Sequence, residues 1–228
     1  MPLKLRRKRT SFEVPVHDMV LRVTGPIELY EEVRATGMQF WEQLQSYAIR
    51  HPGFQSTKRP VEVPEDAPPL VRDIARMSAA AGVGPMFTFQ GALTQYVGQA
   101  LARLMPDVNV ACGGDHYVIT RHRARLPVHP GAGPGTLAVV VRPELGPHGI
   151  YVAPGASSLT GGAADGLAVV AGSCIMADAA AAAAGAILSK PRSFRSALAF
   201  LQGLPEIRGA VVIQGDRIGV AGGLELAA

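Results

Sequence analysis

Aromatic residues, cysteines and long apolar runs are all scarce in this sequence of 228 residues. Phe, Trp and Tyr make up only 6% of the chain, and there are two cysteines, Cys112 and Cys174. Two cysteines cannot form the dense disulfide framework of a small secreted domain, and in a chain this long we expect reduced thiols. Much of the 48% apolar content is Ala and Val, so the core must be built by close packing of small side chains.

No apolar run reaches the roughly 18 residues that a membrane helix needs without a polar interruption. The Ala-rich run 174–188 comes closest, but it contains Asp178. The basic start of the chain is followed by Thr10-Ser11-Phe12-Glu13 and not by the apolar segment of a secretion signal. We therefore expect a cytoplasmic protein without a membrane partner.

The charge imbalance of the chain is confined to one end. The formal net charge is +4, but five of the 22 basic residues lie within the first ten positions. Removing these five leaves 17 basic against 18 acidic residues, so the body is nearly neutral. We expect no nucleic-acid partner, because no basic stripe is interleaved with aromatic residues. The basic tail is either a solvated terminus or a short arm for an anionic partner.

Hydrophobic periodicity predicts an α+β fold with antiparallel sheets and helices packed on one face. Strands are predicted over 10–16, 19–24, 108–111, 116–120, 136–141, 149–153, 166–171, 209–214 and 217–221. Helices are predicted over 27–49, 70–80, from Pro85 to about 104, 173–188 and 193–202, with connections over 52–69 and 127–135. The two halves look loosely alike. We expect one domain over 1–228, with two similar lobes at about 1–125 and 126–228.

The first site candidate is the turn Cys112-Gly113-Gly114-Asp115 between two predicted strands. Two glycines allow positive φ angles and close approach of a ligand. The carboxylate of Asp115 can then bind a hydroxyl, a ring N–H or a metal. Asp115, Cys112 and the following His116 are the candidate catalytic groups. The alternative interpretation is a tight hairpin capped by Asp115.

Three further segments carry candidate binding groups. Gly82-Val83-Gly84-Pro85-Met86 precedes a helix, where free amides can bind a diphosphate; the alternative is a glycine-dependent turn between helices. Asp178 lies in an almost wholly apolar helix, so it must bind a metal such as Mg²⁺ or be hydrogen-bonded, for example to backbone amides of a neighbouring turn. Ser158 and Thr160 lie in a predicted loop. One interpretation is that its hydroxyls line a phosphate or sugar, and the alternative is an ordinary surface loop.

Three of these segments follow one another in an order and at intervals that resemble those of the ApbE-like proteins. The resemblance is narrower still to the compact branch of that family. The segments are Gly82-Val83-Gly84-Pro85-Met86, Cys112-Gly113-Gly114-Asp115 and Ala177-Asp178-Ala179-Ala180-Ala181. The resemblance implies T-fold-like duplicated halves and a nucleotide ligand, FAD or FMN, held with Mg²⁺. The wider family contains FAD:protein FMN transferases. By resemblance, Asp178 matches the metal-ligand aspartate, and Gly113, Gly114 and Asp115 match the flavin-side turn.

The sequence departs from the family pattern at two places. The family's threonine four residues after the metal aspartate is Ala182 here, and a hydroxyl-rich stretch is matched by Val152-Ala153-Pro154-Gly155. The compact branch is associated with homocysteine formation in anaerobic sulfur assimilation, which implies a protein partner in that process. Three functions stay open: a flavin- or nucleotide-binding protein, a transferase, and a non-catalytic partner protein that kept the fold. The apolar composition also favours a homodimer.

Overall fold

The computed structural model describes residues 9–128, 137–153 and 164–227. Within them the chain forms six α-helices and eleven β-strands. The helices are α1 Tyr30–Arg50, α2 Pro52–Ser56, α3 Pro69–Ala81, α4 Phe89–Ala102, α5 Cys174–Leu188 and α6 Phe194–Gly203. The strands are β1 Thr10–Val16, β2 Met19–Gly25, β3 Val108–Cys112, β4 Asp115–Ile119, β5 Ala124–Val128, β6 Leu137–Val141, β7 His148–Ala153, β8 Gly166–Ala171, β9 Ile207–Gln214, β10 Arg217–Gly222 and β11 Leu226–Ala227. Short 3₁₀ turns cover Pro85–Thr88 and Pro143–Leu145.

Eight strands form one antiparallel sheet in the order β1-β2-β3-β4-β7-β8-β9-β10. In each half, two hairpins enclose a group of helices: α1 to α4 lie between β1–β2 and β3–β4, and α5 and α6 lie between β7–β8 and β9–β10. The halves join at β4 and β7, where Asp115 pairs with Tyr151. This arrangement confirms the α+β class with antiparallel sheets and T-fold-like halves.

The helices cover one face of the large sheet. Alternate residues of each strand point toward that face, and the helices pack against them. Helix α1 packs on β1, α4 on β3 and β4, α5 on β7 and β8, and α6 on β9 and β10. Helix α5 lies at the centre of this layer, and every residue from Cys174 to Gly185 is buried. Because its side chains are mostly alanine, α3, α4 and α6 can approach it closely. This close approach packs a core of small side chains without voids.

A second sheet of three strands, in the order β11-β6-β5, covers part of the opposite face. Its residues Val128, Val139 and Val141 form one apolar cluster with Ile150 and Val170 of the large sheet. The sequence did not predict β5 or β11. Strand β5 runs into the stretch that was predicted as a loop from residue 127, and β11 has only two residues.

Two helical segments also differ from the prediction. Helix α2 lies in the stretch 52–69 predicted as a connection, where it buries the ring of Phe54. The helix predicted from Pro85 begins as a 3₁₀ turn, and the hydroxyl of Thr88 donates to the carbonyl of Pro85 at 2.9 Å. The α-helix proper begins at Phe89. No helix in the described part of the chain is both long and apolar enough to cross a membrane.

Candidate functional site

Two buried aspartates lie where the β3–β4 turn meets helices α4 and α5. Asp115 begins β4 and is 1% exposed, and Asp178, one turn into α5, is 3% exposed. Cys112 pairs with Asp115 across the hairpin, and Cys174 begins α5. We call these four residues the two-aspartate site. It combines Cys112, Asp115 and Asp178, which the sequence predicted as separate candidates, with Cys174, which it did not, and it draws on both halves of the fold.

The carboxylate of Asp178 caps helix α4. Its Oδ2 accepts a hydrogen bond of 3.1 Å from the backbone N–H of Gly91, the third residue of α4. N–H groups of a first turn have no partner within their own helix, and the N-cap residue Thr88 makes no side-chain capping bond. A Cβ on Gly91 would lie 2.9 Å from both the Asp178 Cβ and the Cys174 carbonyl oxygen, so glycine permits this approach.

Each aspartate keeps one oxygen free of hydrogen bonds to described residues. For Asp178 this is Oδ1, since only Oδ2 contacts Gly91. The Cys174 thiol lies 3.9 Å from Asp115 Oδ1 as a weak donor, whereas Asp115 Oδ2 is buried without a partner. A buried acceptor without a donor is costly, so Oδ2 is a natural point for a ligand.

Burial makes both carboxyls weak acids. Desolvation raises the pKa of Asp178 to about 7, opposed by the Gly91 hydrogen bond. Desolvation and then the charge of Asp178 raise the pKa of Asp115 well above its ordinary value. Both shifts favour the protonated, neutral forms of the carboxyls. A cation or a hydrogen-bond donor at this site would favour the ionised forms.

The two thiols of the site are protonated at neutral pH. Desolvation, followed by the charges of Asp115, Asp178 and Asp18, raises the pKa of Cys112 to about 12. The pKa of Cys174 is also raised well above its ordinary value, first by burial. The structure thus places Cys112 beside Asp115 as predicted, but as a neutral thiol. Thiolate attack would need a further group to remove the proton.

His116 lies on the other face of the sheet from Asp115. It pairs with Ala111 and Ile150, and neighbouring residues of a strand point to opposite faces. Burial and then Arg22 lower the pKa of His116 to about 4, so the imidazole is neutral at pH 7. The structure therefore brings Cys112 and Asp115 together and separates His116 from them.

The predicted glycine turn is a two-residue hairpin loop beside the start of α4. Gly113 has a φ of 56°, which favours glycine, and a Cβ there would lie 3.0 Å from Oε1 of Gln90. A Cβ on Gly114 would lie 2.5 Å from the Val152 carbonyl oxygen. The backbone here therefore has the form of the tight hairpin that was the alternative interpretation of this turn. Gly113 is also exposed, so its backbone remains open to a ligand.

The segment Gly82-Val83-Gly84-Pro85-Met86 forms the turn between α3 and α4. Gly82 ends α3 with a φ of 73°, and a Cβ on Gly84 would lie 2.2 Å from the carbonyl oxygen of Thr57. Met86 packs partly against the main core. The glycines thus serve the interhelical turn, and the Gly91 amide further along is taken by Asp178. A phosphate role for this segment stays a prediction.

At the two departures from the family pattern, the residues that the structure describes lie in apolar surroundings, while Pro154 and Gly155 lie outside the described residues. Ala182 packs in a small cluster with Ala81 and Val83, so no hydroxyl faces the Gly82 turn from this position. Val152 and Ala153 are buried in β7. Ser158 and Thr160, predicted to bind phosphate or sugar, lie outside the described residues. Their role stays a prediction.

Gln95 of α4 supports the site, although the sequence did not mark it as a site residue. Its Oε1 accepts hydrogen bonds from the Ser173 hydroxyl at 2.9 Å and the Cys174 N–H at 2.8 Å. Ser173 in turn accepts from the N–H of Met176 at 3.3 Å. The start of α5 is therefore held by a side chain of α4. No local pattern marks Gln95, because α4 also carries Gln90 and Gln99, which are exposed, and only the tertiary fold buries the glutamine at position 95.

Gln95→Ala should lower the free energy of unfolding by about 3 kcal/mol, because two buried donors lose their acceptor and a cavity forms. Urea denaturation measures this loss. Gln99→Ala, one turn further along and exposed, is the matched control and should change stability by less than about 0.5 kcal/mol. Equal effects of the two changes would contradict the role given to Gln95.

The described residues contain no group of three or more His, Cys, Asp or Glu side chains placed to hold a metal ion. A Mg²⁺ ion at the two-aspartate site would have the free Oδ1 of Asp178 as a carboxylate ligand. Water and phosphate oxygens would supply the other ligands, which is a common arrangement for this ion. The residues fit a metal held jointly with a phosphate, not a site made by protein alone.

The sheet order, the central helix and the two-aspartate site define an α+β protein of ApbE-like fold. The sequence model of the family described as AbpE bacteria matches residues 3–199, so the chain belongs to this family.

Curated relatives and solved structures agree with this assignment. A UPF0280 protein of Methanocella arvoryzae is 32% identical over 186 residues, covering 80% of this chain and 76% of the relative. Another, of Methanosarcina barkeri, is also 32% identical, with 78% and 73% covered. The ApbE protein of Thermotoga maritima matches with a TM-score of 0.63 and 8% identity, covering 94% of this chain and 97% of that one. The flavinyl transferase ApbE of Pseudomonas stutzeri, in its apo form, gives 0.60 and 13%, with 94% of each chain covered. These structural matches show the shared fold.

Proposed function

We propose that this protein binds a flavin nucleotide, FAD or FMN, at the two-aspartate site and the adjoining Gly113-Gly114 turn. The observation that carries the proposal is the buried, unpartnered Oδ2 of Asp115 beside a second buried carboxylate. A chain whose fold matches a flavinyl transferase keeps these costly groups at the junction of its two halves. Such groups are expected where a ligand compensates for their burial.

Each part of the site has a role in this proposal. The exposed Gly113 lets the ligand approach the backbone, because glycine has no side chain of its own to block the approach. Asp115 forms a hydrogen bond with a ring N–H or a ribose hydroxyl. Asp178 holds Mg²⁺ through Oδ1. When bound, Mg²⁺ neutralises the charge of a diphosphate.

Binding of FAD should be detectable by calorimetry and by quenching of flavin fluorescence, and should strengthen when Mg²⁺ is added. Asp178→Asn should weaken binding in the presence of Mg²⁺ by about tenfold or more, because the charged ligand is lost. Asp216→Asn, an exposed turn residue far along the chain, is the control and should bind as the unchanged protein does. Absence of heat with both FAD and FMN, with and without Mg²⁺, would refute the proposal.

Two functions are compatible with flavin binding: transfer of FMN to a protein, and binding of the flavin without transfer. The second candidate function is binding without transfer. The buried, apolar setting of Ala182 favours this candidate, as do the neutral thiols of Cys112 and Cys174. Chromatography of FAD and Mg²⁺ samples that also contain an acceptor protein separates a transferase from a binding protein. AMP released together with FMN bound covalently to the acceptor indicates a transferase, and intact FAD indicates a binding protein. The cytoplasmic location and the link to homocysteine formation rest on the sequence and its resemblance alone.

A further inference from the structure

Thr94, in the middle of helix α4, has a buried hydroxyl without a hydrogen-bond partner. The residue is 0% exposed, and its Oγ1 bonds to no described residue. Threonine in a helix often donates to the carbonyl oxygen four residues earlier, but Thr94 does not bond to Gln90 in this way. A buried hydroxyl without a partner costs free energy, so this atom does not stabilise the fold. It is a polar group of the core that the folded chain leaves available.

The start of α4 lies over the tip of the β3–β4 hairpin. Oε1 of Gln90, one turn before Thr94, lies 3.0 Å from the position of a Cβ built on Gly113. Gln90 and Gly113 are both exposed. The tip of the hairpin is therefore covered by a solvent-exposed side chain that can rotate aside, and Thr94 lies one helical turn further in.

The next contact of α4 places Thr94 level with Asp115. A Cβ on Gly98 would collide with the ring of Tyr117, so Gly98 lies directly against β4. Going back from Gly98 to Thr94 covers about 6 Å along the helix axis. Going back from Tyr117 to Asp115 covers about 6.6 Å along the strand, on the same face of the sheet. Both steps lead toward the hairpin tip, so the two residues end at the same level.

The helical positions also give the direction in which Thr94 points. Around the helix axis Thr94 lies between Gly98, which faces β4, and Val97, which packs in the same apolar cluster as Cys112 of β3. Thr94 thus faces the pair formed by Cys112 and Asp115. Asp115 Oδ2 is itself buried without a partner, so the two atoms do not bond to each other. Two unpartnered buried groups at one level of the fold point to a shared ligand atom.

We propose that Thr94 is a further binding residue of the two-aspartate site, where its hydroxyl and Asp115 together hold a hydroxyl group of the flavin's ribityl chain. A ligand hydroxyl can donate to one of these two groups and accept from the other, whereas a ring N–H can only donate. The ribityl hydroxyls are present in both FAD and FMN. The inference rests on the proposed flavin function and selects a hydroxyl in preference to a ring N–H as the contact of Asp115.

Thr94→Val removes the hydroxyl and keeps the shape of the side chain. Titrated by calorimetry with FAD and with FMN in the presence of Mg²⁺, this variant should bind each at least about fivefold more weakly than the unchanged protein. Thr94→Ser keeps a hydroxyl and should bind within about twofold of the unchanged protein. Lumiflavin has the ring system without the ribityl chain, so its binding should be the same in Thr94→Val and in the unchanged protein.

Stability without ligand separates a ligand contact from a structural role. Because no described residue pairs with the Thr94 hydroxyl, Thr94→Val should leave the urea midpoint unchanged or raise it. Thr120→Val is the matched control. Thr120 is also buried, but its hydroxyl donates to the His122 carbonyl at 2.7 Å. Its loss should lower the urea midpoint and leave flavin binding unchanged.

The outcomes for Thr94 and for the flavin site can be told apart. An unchanged protein that binds neither FAD nor FMN would refute the proposed function itself. Flavin binding by the unchanged protein together with undiminished binding by Thr94→Val would overturn only the role given to Thr94. Equal weakening for lumiflavin, or a lowered urea midpoint of Thr94→Val, would show that the hydroxyl serves the ring or the fold, and would overturn that role as well.

Discussion

Gly149→Ala should cost at least about 4 kcal/mol of stability or leave the protein unfolded. A Cβ at this position in β7 would lie 2.0 Å from the Cys174 N and 2.1 Å from the Ser173 carbonyl carbon. Both are backbone atoms at the start of α5, so no side chain can move aside. Overpacking typically costs about 1–3 kcal/mol when side chains can adjust, and here the central helix itself must shift.

Urea denaturation and the yield of soluble protein measure the effect of Gly149→Ala. Gly203→Ala is the matched control, because nothing lies within 4 Å of a Cβ built on that last residue of α6. Alanine should be neutral there or stabilise the helix by up to about 1 kcal/mol. Wild-type stability of the Gly149 variant would mean that α5 does not begin against β7. A folded but shifted variant should also lose ligand binding at Asp178, which α5 carries.

Asp178→Asn should flatten the pH dependence of stability between about pH 4 and pH 7. An unfolded aspartate has a pKa of about 3.9, and burial raises the pKa of Asp178 in the folded protein to about 7. Between these values the folded state holds a proton that the unfolded chain has released. The free energy of unfolding therefore falls as pH rises from about 4 to about 7, by roughly 4 kcal/mol for this group.

Asparagine at position 178 is neutral at every pH and can still accept from the Gly91 N–H. Urea midpoints measured from pH 4 to pH 8 should thus change less in Asp178→Asn than in the unchanged protein. Asp115 retains a burial-raised pKa, so the double change with Asp115→Asn should be flatter still. Asp216→Asn, in an exposed turn, should keep the original slope. An unchanged slope in Asp178→Asn would show that another group titrates.

Much of the fold could be predicted from the sequence, because periodicity reports which face of an element is buried. Strands β1 and β2 and helices α3 and α5 lie close to the predicted ranges. Strand β5 was missed although its apolar residues alternate with Arg125 and Pro127, because a proline within a short run argues against a strand. Strand β11 pairs with β6 across a long separation in sequence, which no local pattern reports.

The site was predictable in its parts and not in its assembly. Asp115 and Asp178 were each identified, but only the fold brings them into one cluster. The partners of Gln95 lie 78 and 79 positions away, so a helical wheel cannot show why it is buried. His116 illustrates the opposite case. Strand alternation alone already implies that it points away from Asp115.

Two hydrogen-bonding side chains are exchanged between the halves of this protein. Gln95 of the first half supplies the acceptor for the start of α5, and Asp178 of the second half supplies it for α4. Each half therefore lacks an acceptor that the first turn of one of its helices needs and receives it from the other half. Either half alone would leave these buried amides without their acceptor, so the halves depend on each other through these side chains as well as through the pairing of β4 with β7.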